Sequence, residues 1–345
     1  MYLRQKSGRS IVCSPEVLCM NVKENLLRML AESGENFISG SVAADALGVS
    51  RNAVWKAVKA LEAEGYEIES VKAKGYRIAE SCNRLSAELI SAKLTTVRLG
   101  RSITVLEETD STNNYAKKLA SAGAVHGTVV AADRQTAGRG RIGRTFVSPP
   151  GTGLYMSVII RPEFGLDCAP MITAAAACAV AKAVEKLCGK GVRIKWVNDI
   201  YMNGRKICGI LTEASLGLEM NSLDYAIIGI GVNVGDASSV LGEELSRIAT
   251  SVEAETGKLI NRSLLCAEIL ASLEIYLSKV ESRDFLDDYR RRELLTGHEI
   301  TANVGGTGIS GRALGVDENA NLIVKLPDGT ERHLSSGEAN LLRLK

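Results

Sequence analysis

Seven residues in the middle of the chain, Gly138-Arg139-Gly140-Arg141-Ile142-Gly143-Arg144, interleave glycine with arginine. This composition disfavours helix and strand and predicts a loop. Glycine lets backbone amides approach an anion closely, and the arginine guanidinium is a planar fork for phosphate or carboxylate. The segment follows a predicted strand that ends near Asp133. It therefore predicts a loop that closes over a nucleotide and its developing pyrophosphate, although composition alone also fits a flexible RNA-binding segment.

Three further strings surround this loop in the sequence. Lys195-Trp196-Val197-Asn198-Asp199-Ile200-Tyr201 leads through a polar turn into an apolar strand that begins at Lys206 and ends at Glu213. The stretch 227–234 predicts another strand, with glycines where close packing is needed. Upstream, Thr109-Asp110-Ser111-Thr112-Asn113 is a polar turn before a helix. Taken singly, Asn198 and Asp199 are also typical of a turn cap, Thr112 and Asn113 of a helix N-cap, and Glu213 of a structural residue.

The N-terminal part predicts a winged helix-turn-helix. Apolar residues recur at helical spacing from Val22, and a second short helix precedes Gly48-Val49-Ser50, where Gly48 suits a C-cap and Ser50 an N-cap. A third helix follows, and the stretches 66–71 and 76–78 predict a hairpin with a basic turn. Such a third helix enters the DNA major groove.

The candidate DNA-contacting residues lie on the third helix and in the turn of the hairpin. If Val54, Val58 and Leu61 pack inward, the opposite face of the helix is free to read bases and neutralise phosphates. The alternative is a unit that mediates protein contacts, with its lysines merely solvated. The candidates are Ser50, Arg51, Asn52, Trp55, Lys56, Lys59, Lys72 and Lys74, with Arg77 as a further wing contact.

The rest of the chain predicts two more domains, so the fold class is α+β multidomain. Residues 81–100 have the pattern of a linker with one short helix. From Ile103, strands alternate with Ala-rich helices, which indicates a mixed α/β domain. From Gly297, short strands separated by polar turns predict a small β-barrel. We predict an extension of unknown role at 1–21, the winged helix at 22–80, a catalytic domain at 81–296 and a β domain at 297–345.

Composition excludes several classes of protein. A net charge of +2 over 345 residues gives no global attraction to nucleic acid, so a DNA site must be a local patch. The eight cysteines form no CxxC pair and the three histidines are scattered, which argues against a dedicated metal site and favours a reducing cytoplasm. No apolar run is long enough to span a bilayer, and the stretch before Val22 lacks a signal-peptide core. Met20 is an alternative start.

In their order along the chain, these strings resemble the biotin protein ligase family, particularly its bifunctional ligase and biotin-operon repressor members. The resemblance runs from about Val22 to Lys345. The winged helix distinguishes the repressor type from ligases that lack it, and the terminal domain resembles the family's small SH3-like domain. The related lipoate ligases share the catalytic fold but usually lack the arginine loop and the DNA-binding domain. Val197 replaces a common proline and Phe146 replaces a tryptophan found in some members.

The resemblance implies roles for individual residues. Lys206 is implied to meet the biotin carboxylate and the adenylate phosphate, and Asp199 to support the reacting groups; with Arg139 and Arg141 they form the implied catalytic set. The implied biotin and biotinoyl-adenylate contacts are Ser111, Thr112, Asn113, Gln135, Arg139, Gly140, Arg141 and Lys206, and the implied adenylate loop includes Gly138, Gly143, Arg144 and Phe146.

The implied activity is that of a biotin–[acetyl-CoA-carboxylase] ligase. ATP with Mg²⁺ and biotin are the implied substrates, no cofactor is tightly bound, and no covalent enzyme intermediate is needed. The implied partners are the biotin carboxyl carrier protein, operator DNA of biotin genes and a second copy of the chain when the adenylate is bound, with no membrane. Biotinoyl-adenylate is the implied corepressor. Three alternatives stay open: a ligand-sensing regulator without ligase activity, a lipoate-type ligase, and a ligase whose winged helix no longer regulates.

Overall fold

The computed structural model describes residues 22–165, 168–216, 223–236, 242 and 245–342. The described residues form two compact units, which are divided between Cys82 and Asn83. The predicted extension 1–21 lies outside the described residues. Within the described part, no helix is both long and apolar enough to cross a membrane.

The first unit contains three helices and a two-stranded hairpin. Leu26, Leu30, Val54 and Leu61 are fully buried between the helices, as their helical spacing predicted. In the hairpin, Ile68 pairs with Ile78 in an antiparallel register. The predicted winged helix-turn-helix is thus confirmed. Its elements are α1 (Val22–Ser33), α2 (Gly40–Leu47), α3 (Arg51–Ala63), β1 (Ile68–Val71) and β2 (Gly75–Ile78).

The turn between α2 and α3 has the predicted chemistry. Gly48 ends α2 with a φ of 64°, a left-handed conformation that glycine adopts without a side-chain clash. Ser50 then caps α3, because its Oγ accepts a hydrogen bond from the Ala53 amide at 3.2 Å. These two residues fix where α2 ends and where α3 begins.

A seven-stranded mixed sheet forms the centre of the second unit. Its strand order is β3-β4-β5-β9-β8-β7-β6, with β3 and β4 parallel and the other neighbours antiparallel. The strands are β3 (Ile103–Thr109), β4 (Val129–Gln135), β5 (Gly153–Ile160), β6 (Arg193–Lys195), β7 (Asp199–Met202), β8 (Arg205–Leu216) and β9 (Leu223–Asn233). The helices of this unit that precede the C-terminal sheet are α4 (Ala87–Ser91), α5 (Thr112–Ser121), α6 (Ala169–Cys188), α7 (Val252–Thr256), α8 (Arg262–Leu277) and α9 (Leu286–Arg292).

Helices cover both faces of this sheet. On one face, α6 and α8 pack on alternate strand residues such as Met156, Ile210 and Ile230. On the other face, α5 packs through Ala116 and Ala120 against the central strands. Because successive residues of a strand alternate between the two faces of the sheet, Leu211 and Glu213 of β8 point to the α5 side, and Gly209 leaves space on the same side. This alternation leaves space beside α5, and the candidate site lies there.

Residues 83–100 differ from the prediction. The pattern predicted a linker with one short helix, and α4 confirms the helix. Leu85, Ile90 and Leu99 are however buried in the main core. The segment is therefore part of the packed domain, and the prediction of a linker was wrong. Its loop is further anchored by Glu274 of α8, whose carboxylate accepts hydrogen bonds from the amides of residues 97, 98 and 99 at 2.6 to 2.9 Å.

The C-terminal part is a five-stranded antiparallel sheet, which confirms the predicted small β domain. Its strand order is β13-β12-β11-β10-β14. Trp196 joins it to the catalytic sheet, since the indole Nε1 donates to the Ala320 carbonyl at 2.9 Å. The strands are β10 (Glu299–Val304), β11 (Thr307–Val316), β12 (Leu322–Lys325), β13 (Glu331–Leu334) and β14 (Glu338–Leu341).

Candidate active site

A cavity of about 300 Å³ lies on the α5 side of the catalytic sheet. Five parts of the chain line it: the polar turn that starts α5, the arginine loop, the Lys195–Tyr201 string, the first residues of β8 and the first residues of β14. The predicted ligase residues on its wall are Ser111, Thr112, Asn113, Gln135, Arg139, Gly140, Arg141, Arg144, Phe146, Asp199 and Lys206. Four separate strings of the sequence therefore meet at one place.

Glycines form the floor of the cavity. A Cβ atom on Gly229 would lie 2.1 Å from Asn113 Oδ1, and one on Gly231 would lie 2.7 Å from the Phe146 ring. Both approaches are closer than carbon atoms tolerate. Glycine in β9 therefore makes room for Asn113 and Phe146, the role predicted for glycines in this strand.

Thr112 and Gln135 form the polar end of the cavity. The Thr112 amide and hydroxyl donate to Gln135 Oε1 at 2.9 and 3.1 Å, and Gln135 Nε2 donates to Ser148 Oγ at 2.9 Å. The fully buried Ser157 hydroxyl lies 2.8 Å from Thr112 Oγ1 and 2.6 Å from Asn113 Oδ1. Ser111 occupies the N-cap position of α5 without a side-chain capping bond. Thr112 and Asn113 thus build a network across the site and do not cap the helix.

Glu213 of β8 joins this network to the arginine loop. Its Oε2 accepts from Asn113 Nδ2 at 2.8 Å and from an Arg139 Nη2 at 3.1 Å, and its Oε1 accepts from Lys117 Nζ at 2.6 Å. Burial alone raises the pKa of Glu213. The hydrogen bonds from Lys117 and Asn113 and the nearby cationic charges outweigh that effect, so the pKa is lowered below its ordinary value.

The arginine loop is an ordered hairpin. Gly140 N donates to the Arg144 carbonyl at 2.7 Å, and Ile142 at its tip has a φ of 55°. The loop passes close to itself at Gly138, where a Cβ would lie 2.3 Å from the Phe146 carbonyl oxygen. A side chain at position 138 would therefore clash with the backbone of Phe146, which explains why glycine occupies this position of the loop.

Each arginine of the loop contacts a different element. Arg139 reaches Glu213 of β8, Arg141 Nη1 donates to Asn198 Oδ1 at 3.0 Å, and Arg144 forms two hydrogen bonds with Glu338 of β14 at 2.8 and 2.6 Å. The loop is consequently braced by three parts of the domain, unlike the flexible segment that its composition also allowed.

Lys206 and Asp199 form an ion pair at the mouth of β8. The two side chains approach to 2.7 Å. The Lys206 backbone pairs with the stretch before α7, donating to the Ile248 carbonyl at 2.9 Å and accepting from Thr250 N at 2.8 Å. The position of Lys206 is therefore fixed by its backbone and its side chain.

The Asn198 side chain also spans two elements. Its Nδ2 donates to the Ile210 carbonyl at 2.7 Å, while its Oδ1 accepts from Arg141. This side chain therefore links β8 to the loop, and does more than cap a turn. The preceding peptide bond, Trp196–Val197, is cis.

Several lining residues were absent from the predicted set. Lys195 Nζ donates to Asn340 Oδ1 at 2.6 Å and lies 5.7 Å from the centre of the Tyr201 ring. Burial lowers the pKa of Lys195, against the raising effect of the Asp199 and Glu338 charges. Lys195 stood in a quoted string and was available from sequence, whereas nothing local marked the contributions of the C-terminal sheet. The additional lining residues include Lys195, Tyr201, Leu245, Ile248, Glu338 and Asn340.

The first unit presents its own candidate surface. Val54, Val58 and Leu61 pack inward, so the opposite face of α3 is open, and Trp55 is 49% exposed. Arg77, the further wing candidate, has a side chain that is 30% exposed; it pairs with Glu69 across the hairpin at 2.9 Å and lies 4.7 Å from the centre of the Phe37 ring. The exposed candidates are Ser50, Arg51, Asn52, Trp55, Lys56, Lys59, Lys72 and Lys74.

Comparisons with known proteins agree with this architecture. The model of the biotin/lipoate A/B protein ligase family matches residues 105–233, an HTH domain model matches 22–77, and the biotin protein ligase C terminal domain matches 296–342. The bifunctional ligase/repressor BirA of Bacillus spizizenii is 36% identical, covering 91% of this chain and 97% of its own. BirA of Escherichia coli is 31% identical, with 92% and 96% covered.

A solved structure shows the same relationship for the catalytic part. The biotin protein ligase from Aquifex aeolicus in complex with biotin and ATP has a TM-score of 0.60 and 30% identity, covering 71% of this chain and 100% of that chain. The predicted family and fold class are thereby confirmed. With its winged helix, ligase domain and C-terminal domain in the same order, the chain belongs to the biotin/lipoate A/B protein ligase family, among its bifunctional ligase/repressor members.

Proposed function

We propose that this chain activates biotin with ATP, transfers it to a lysine of a carrier protein, and represses transcription when its adenylate intermediate accumulates. The observation that carries the proposal is that the cationic side chains of Lys206, Arg139 and Arg141 line one cavity together with the polar turn Ser111–Asn113. The family membership supports the same reaction.

The first step joins two anions, and this determines what the site must provide. An oxygen of the biotin carboxylate attacks the α-phosphorus of ATP, the bond to pyrophosphate breaks, and biotinoyl-adenylate forms. The protein has to bring like charges together and stabilise charge on the phosphorus oxygens, which positioned cations do. Lys206 is proposed to meet both the carboxylate and the phosphate, with Asp199 at 2.7 Å holding its ammonium group in place.

The second step needs no nucleophile from this protein. The amine of the carrier lysine attacks the carbonyl carbon of the mixed anhydride, loses a proton, and releases AMP as an amide forms. The proposed carrier is the biotin carboxyl carrier protein of acetyl-CoA carboxylase. The arginine loop, which rims the cavity, is proposed to shield the anhydride from water until the carrier arrives.

Magnesium is proposed to enter with ATP as part of the substrate. Among the described residues, no group of three or more His, Cys, Asp and Glu side chains is placed to hold a metal ion. Within the cavity, Asp199 and Glu338 are carboxylates on different elements. This arrangement fits a metal bound mainly by the phosphates.

The ring of biotin is proposed to lie at the polar end. Ser111, Thr112, Asn113 and Gln135 provide donors and acceptors there. Hydrogen bonds of Thr112 with Gln135 and Ser157, and of Asn113 with the Leu211 carbonyl, fix the orientations of these side chains before any substrate binds. A ureido group has both donors and acceptors, so a fixed polar set favours it over an apolar ring. Adenine and its ribose are proposed to lie beside Phe146 and the loop that contains Gly138 and Gly143.

The winged helix is proposed to bind operator DNA of biotin genes. Arg51 and Asn52 at the start of α3 are placed to meet base edges, and Lys56 and the wing lysines to meet phosphates. Two copies of the chain, brought together when the adenylate is bound, would present two such helices to paired half-sites. The proposed setting is the cytoplasm, with which the buried thiols of Cys178, Cys188, Cys208 and Cys266 agree.

The test is biotin-dependent exchange of labelled pyrophosphate into ATP, with lipoate as the control acid. Exchange with biotin alone is expected. Exchange with lipoate would assign the chain to lipoate-type ligases. No exchange by folded protein with magnesium present would leave a regulator without ligase activity.

A further inference from the structure

The carboxylate of Glu213 accepts hydrogen bonds from three side chains that belong to two different elements. It lies on the α5 face of β8, where its two oxygens accept from Asn113, Lys117 and Arg139 at 2.6 to 3.1 Å. Asn113 and Lys117 are on α5, whereas Arg139 is on the arginine loop. One partly buried carboxylate therefore joins the turn at the polar end of the cavity to the loop that rims it.

The contact with Asn113 fixes the direction of the amide. Its Nδ2 donates to Glu213 and to the Leu211 carbonyl at 2.8 and 3.3 Å, and its Oδ1 lies 2.6 Å from the Ser157 hydroxyl. With both amide hydrogens directed to acceptors, the carbonyl end is the one that faces Ser157. Glu213 thus helps to set the donor and acceptor pattern of the turn.

The contact with Arg139 places a cation next to that turn. Arg139 is on an exposed loop, and its side chain is 39% exposed, while that of Glu213 is 23% exposed. An exposed arginine without an anion samples many rotamers, and holding it in one of them reduces the entropy lost when an anionic ligand binds. Glu213 supplies the required anion at a fixed point of the sheet.

We infer that Glu213 is a positioning residue that holds Arg139 against the Ser111–Asn113 turn, so that the loop stands over the polar end of the cavity before biotin arrives. This inference rests on the proposed function for the identity of the acid. It replaces the expectation that Glu213 is merely structural. In the proposed function Arg139 and Lys206 contact the reacting groups, and Glu213 acts through Arg139.

The substitution Glu213→Gln tests the charge at nearly constant shape. Every contact of the carboxylate is with a donor, since Lys117, Asn113 and Arg139 have no acceptor on the atoms involved. The glutamine side chain would have to direct its own NH₂ group at one of these donors, where two donors face each other and no hydrogen bond can form. It also leaves the Lys117 and Arg139 cations near each other without an intervening anion. The loop arginine is the partner that can move away.

The readout is limited proteolysis of the full-length protein with trypsin. The loop contains cleavage sites after Arg139, Arg141 and Arg144, and mass spectrometry identifies the cut. We expect Glu213→Gln to cleave about twofold to fivefold faster in this loop, in keeping with loss of a partly exposed ion pair. Lys117→Met is the matched control, because it removes another partner of Glu213 but leaves Oε2 for Arg139, and it is expected to cleave at the wild-type rate.

A double-mutant cycle separates this effect from general destabilisation. In Arg139→Met protein the cuts after Arg141 and Arg144 are expected to be faster, and adding Glu213→Gln should increase them no further. Additive effects, a wild-type rate in Glu213→Gln, or equal acceleration by Lys117→Met would overturn the inference. The double-mutant cycle shows whether Glu213 acts through Arg139 even if Glu213→Gln lowers the overall stability of the protein.

Biotin-dependent exchange provides the second readout. We expect Glu213→Gln to raise the KM for biotin several-fold, about the same factor as the change in proteolysis, with a smaller change in kcat. An unchanged KM alongside an open loop would overturn the link to acid binding. If the wild-type protein shows no exchange at all, the proposed function fails, while the proteolysis cycle still decides whether Glu213 holds the loop.

Discussion

Arg144 of the arginine loop and Glu338 of the C-terminal sheet form a bidentate ion pair. Nη1 donates to Oε1 at 2.8 Å and Nη2 donates to Oε2 at 2.6 Å, across 194 residues of sequence. Parallel hydrogen bonds between a guanidinium and a carboxylate fix orientation as well as distance. The C-terminal domain therefore takes part in shaping the cavity rim.

Breaking this pair is expected to weaken ATP binding. In Glu338→Gln the loop loses one of its three braces, so we expect the KM for ATP in pyrophosphate exchange to rise about twofold to fivefold, the range for a largely exposed pair. Glu331→Gln, an exposed glutamate of the same sheet, is the control and should behave as wild type. An ATP KM that is unchanged or lower in Glu338→Gln would contradict this role of the pair.

Removal of the Lys206 ammonium is expected to have a much larger effect. In Lys206→Ala we expect kcat/KM for biotin-dependent exchange to fall about 10²–10³-fold, the usual result of deleting one group that stabilises transition-state charge. Retained adenylate, measured by filter binding, should also dissociate faster. Lys325→Ala, an exposed lysine on β12, is the control. Turnover and biotin affinity equal to wild type would refute the assignment of Lys206.

DNA binding is expected to depend on the first unit and on the adenylate. Gel shifts with promoter DNA of a biotin gene should show tighter binding when biotin and ATP are present. Deletion of residues 1–80 should abolish the shift while circular dichroism still reports a folded second unit. Equal binding with and without biotin plus ATP would remove the corepressor role, and specific binding by the deleted protein would overturn the assignment of the winged helix.

A single lysine of α3 gives a finer test of the DNA-contacting face. Lys56→Ala is expected to weaken binding to all sequences and to reduce the slope of log K against log salt by about one, the result for one phosphate contact. Lys93→Ala, in the second unit, is a control for the loss of one positive charge. An unchanged salt slope in Lys56→Ala would indicate that this lysine is merely solvated.

The carboxylate of Glu274 predicts a pH dependence of stability. Burial raises its pKa, but the amides of Val97, Leu99 and Arg98 and the Arg101 charge lower it below the ordinary value of 4.5. A group with a depressed folded-state pKa stabilises the fold above its unfolded pKa, and this contribution disappears as the pH falls through the folded value.

The corresponding measurement is thermal unfolding of Glu274→Gln and wild type as a function of pH. At neutral pH the variant should be less stable by about 2 kcal/mol, the scale for hydrogen bonds to a charged group. The difference should shrink progressively below pH 4.5. A difference that stays constant down to strongly acidic pH would show that the ionised carboxylate is not what anchors the 97–99 loop.

Much of the fold and the site could be predicted because the decisive signals are local. The interleaved Gly138–Arg144 stretch, the turn before α5 and the cap at Ser50 each specify their own backbone through propensity and capping. The resemblance then placed these strings at one site. Residues 83–100 were predicted wrongly as a linker, because nothing local shows that Leu85, Ile90 and Leu99 find their core partners elsewhere in the domain.

The remaining features depend on contacts between distant segments. Lys195 meets Asn340 over 145 residues of sequence, and a surface strand of ordinary composition gives no sign of such a partner. Glu213 had the same difficulty, since a glutamate at the end of an apolar strand is most often solvated. Its three donors became visible only when β8, α5 and the loop were brought together.

The glycine floor of the cavity has a consequence for redesign. Gly209 and Gly229 already lack any side chain, so the pocket cannot be deepened from below, and even one methyl group at Gly229 would strike Asn113. A version of this enzyme that accepts a bulkier acid must gain its space by trimming the walls, at Leu211 or Phe146. Relatives with the same fold that accept different acids should accordingly differ at the wall residues and keep the glycines of the floor.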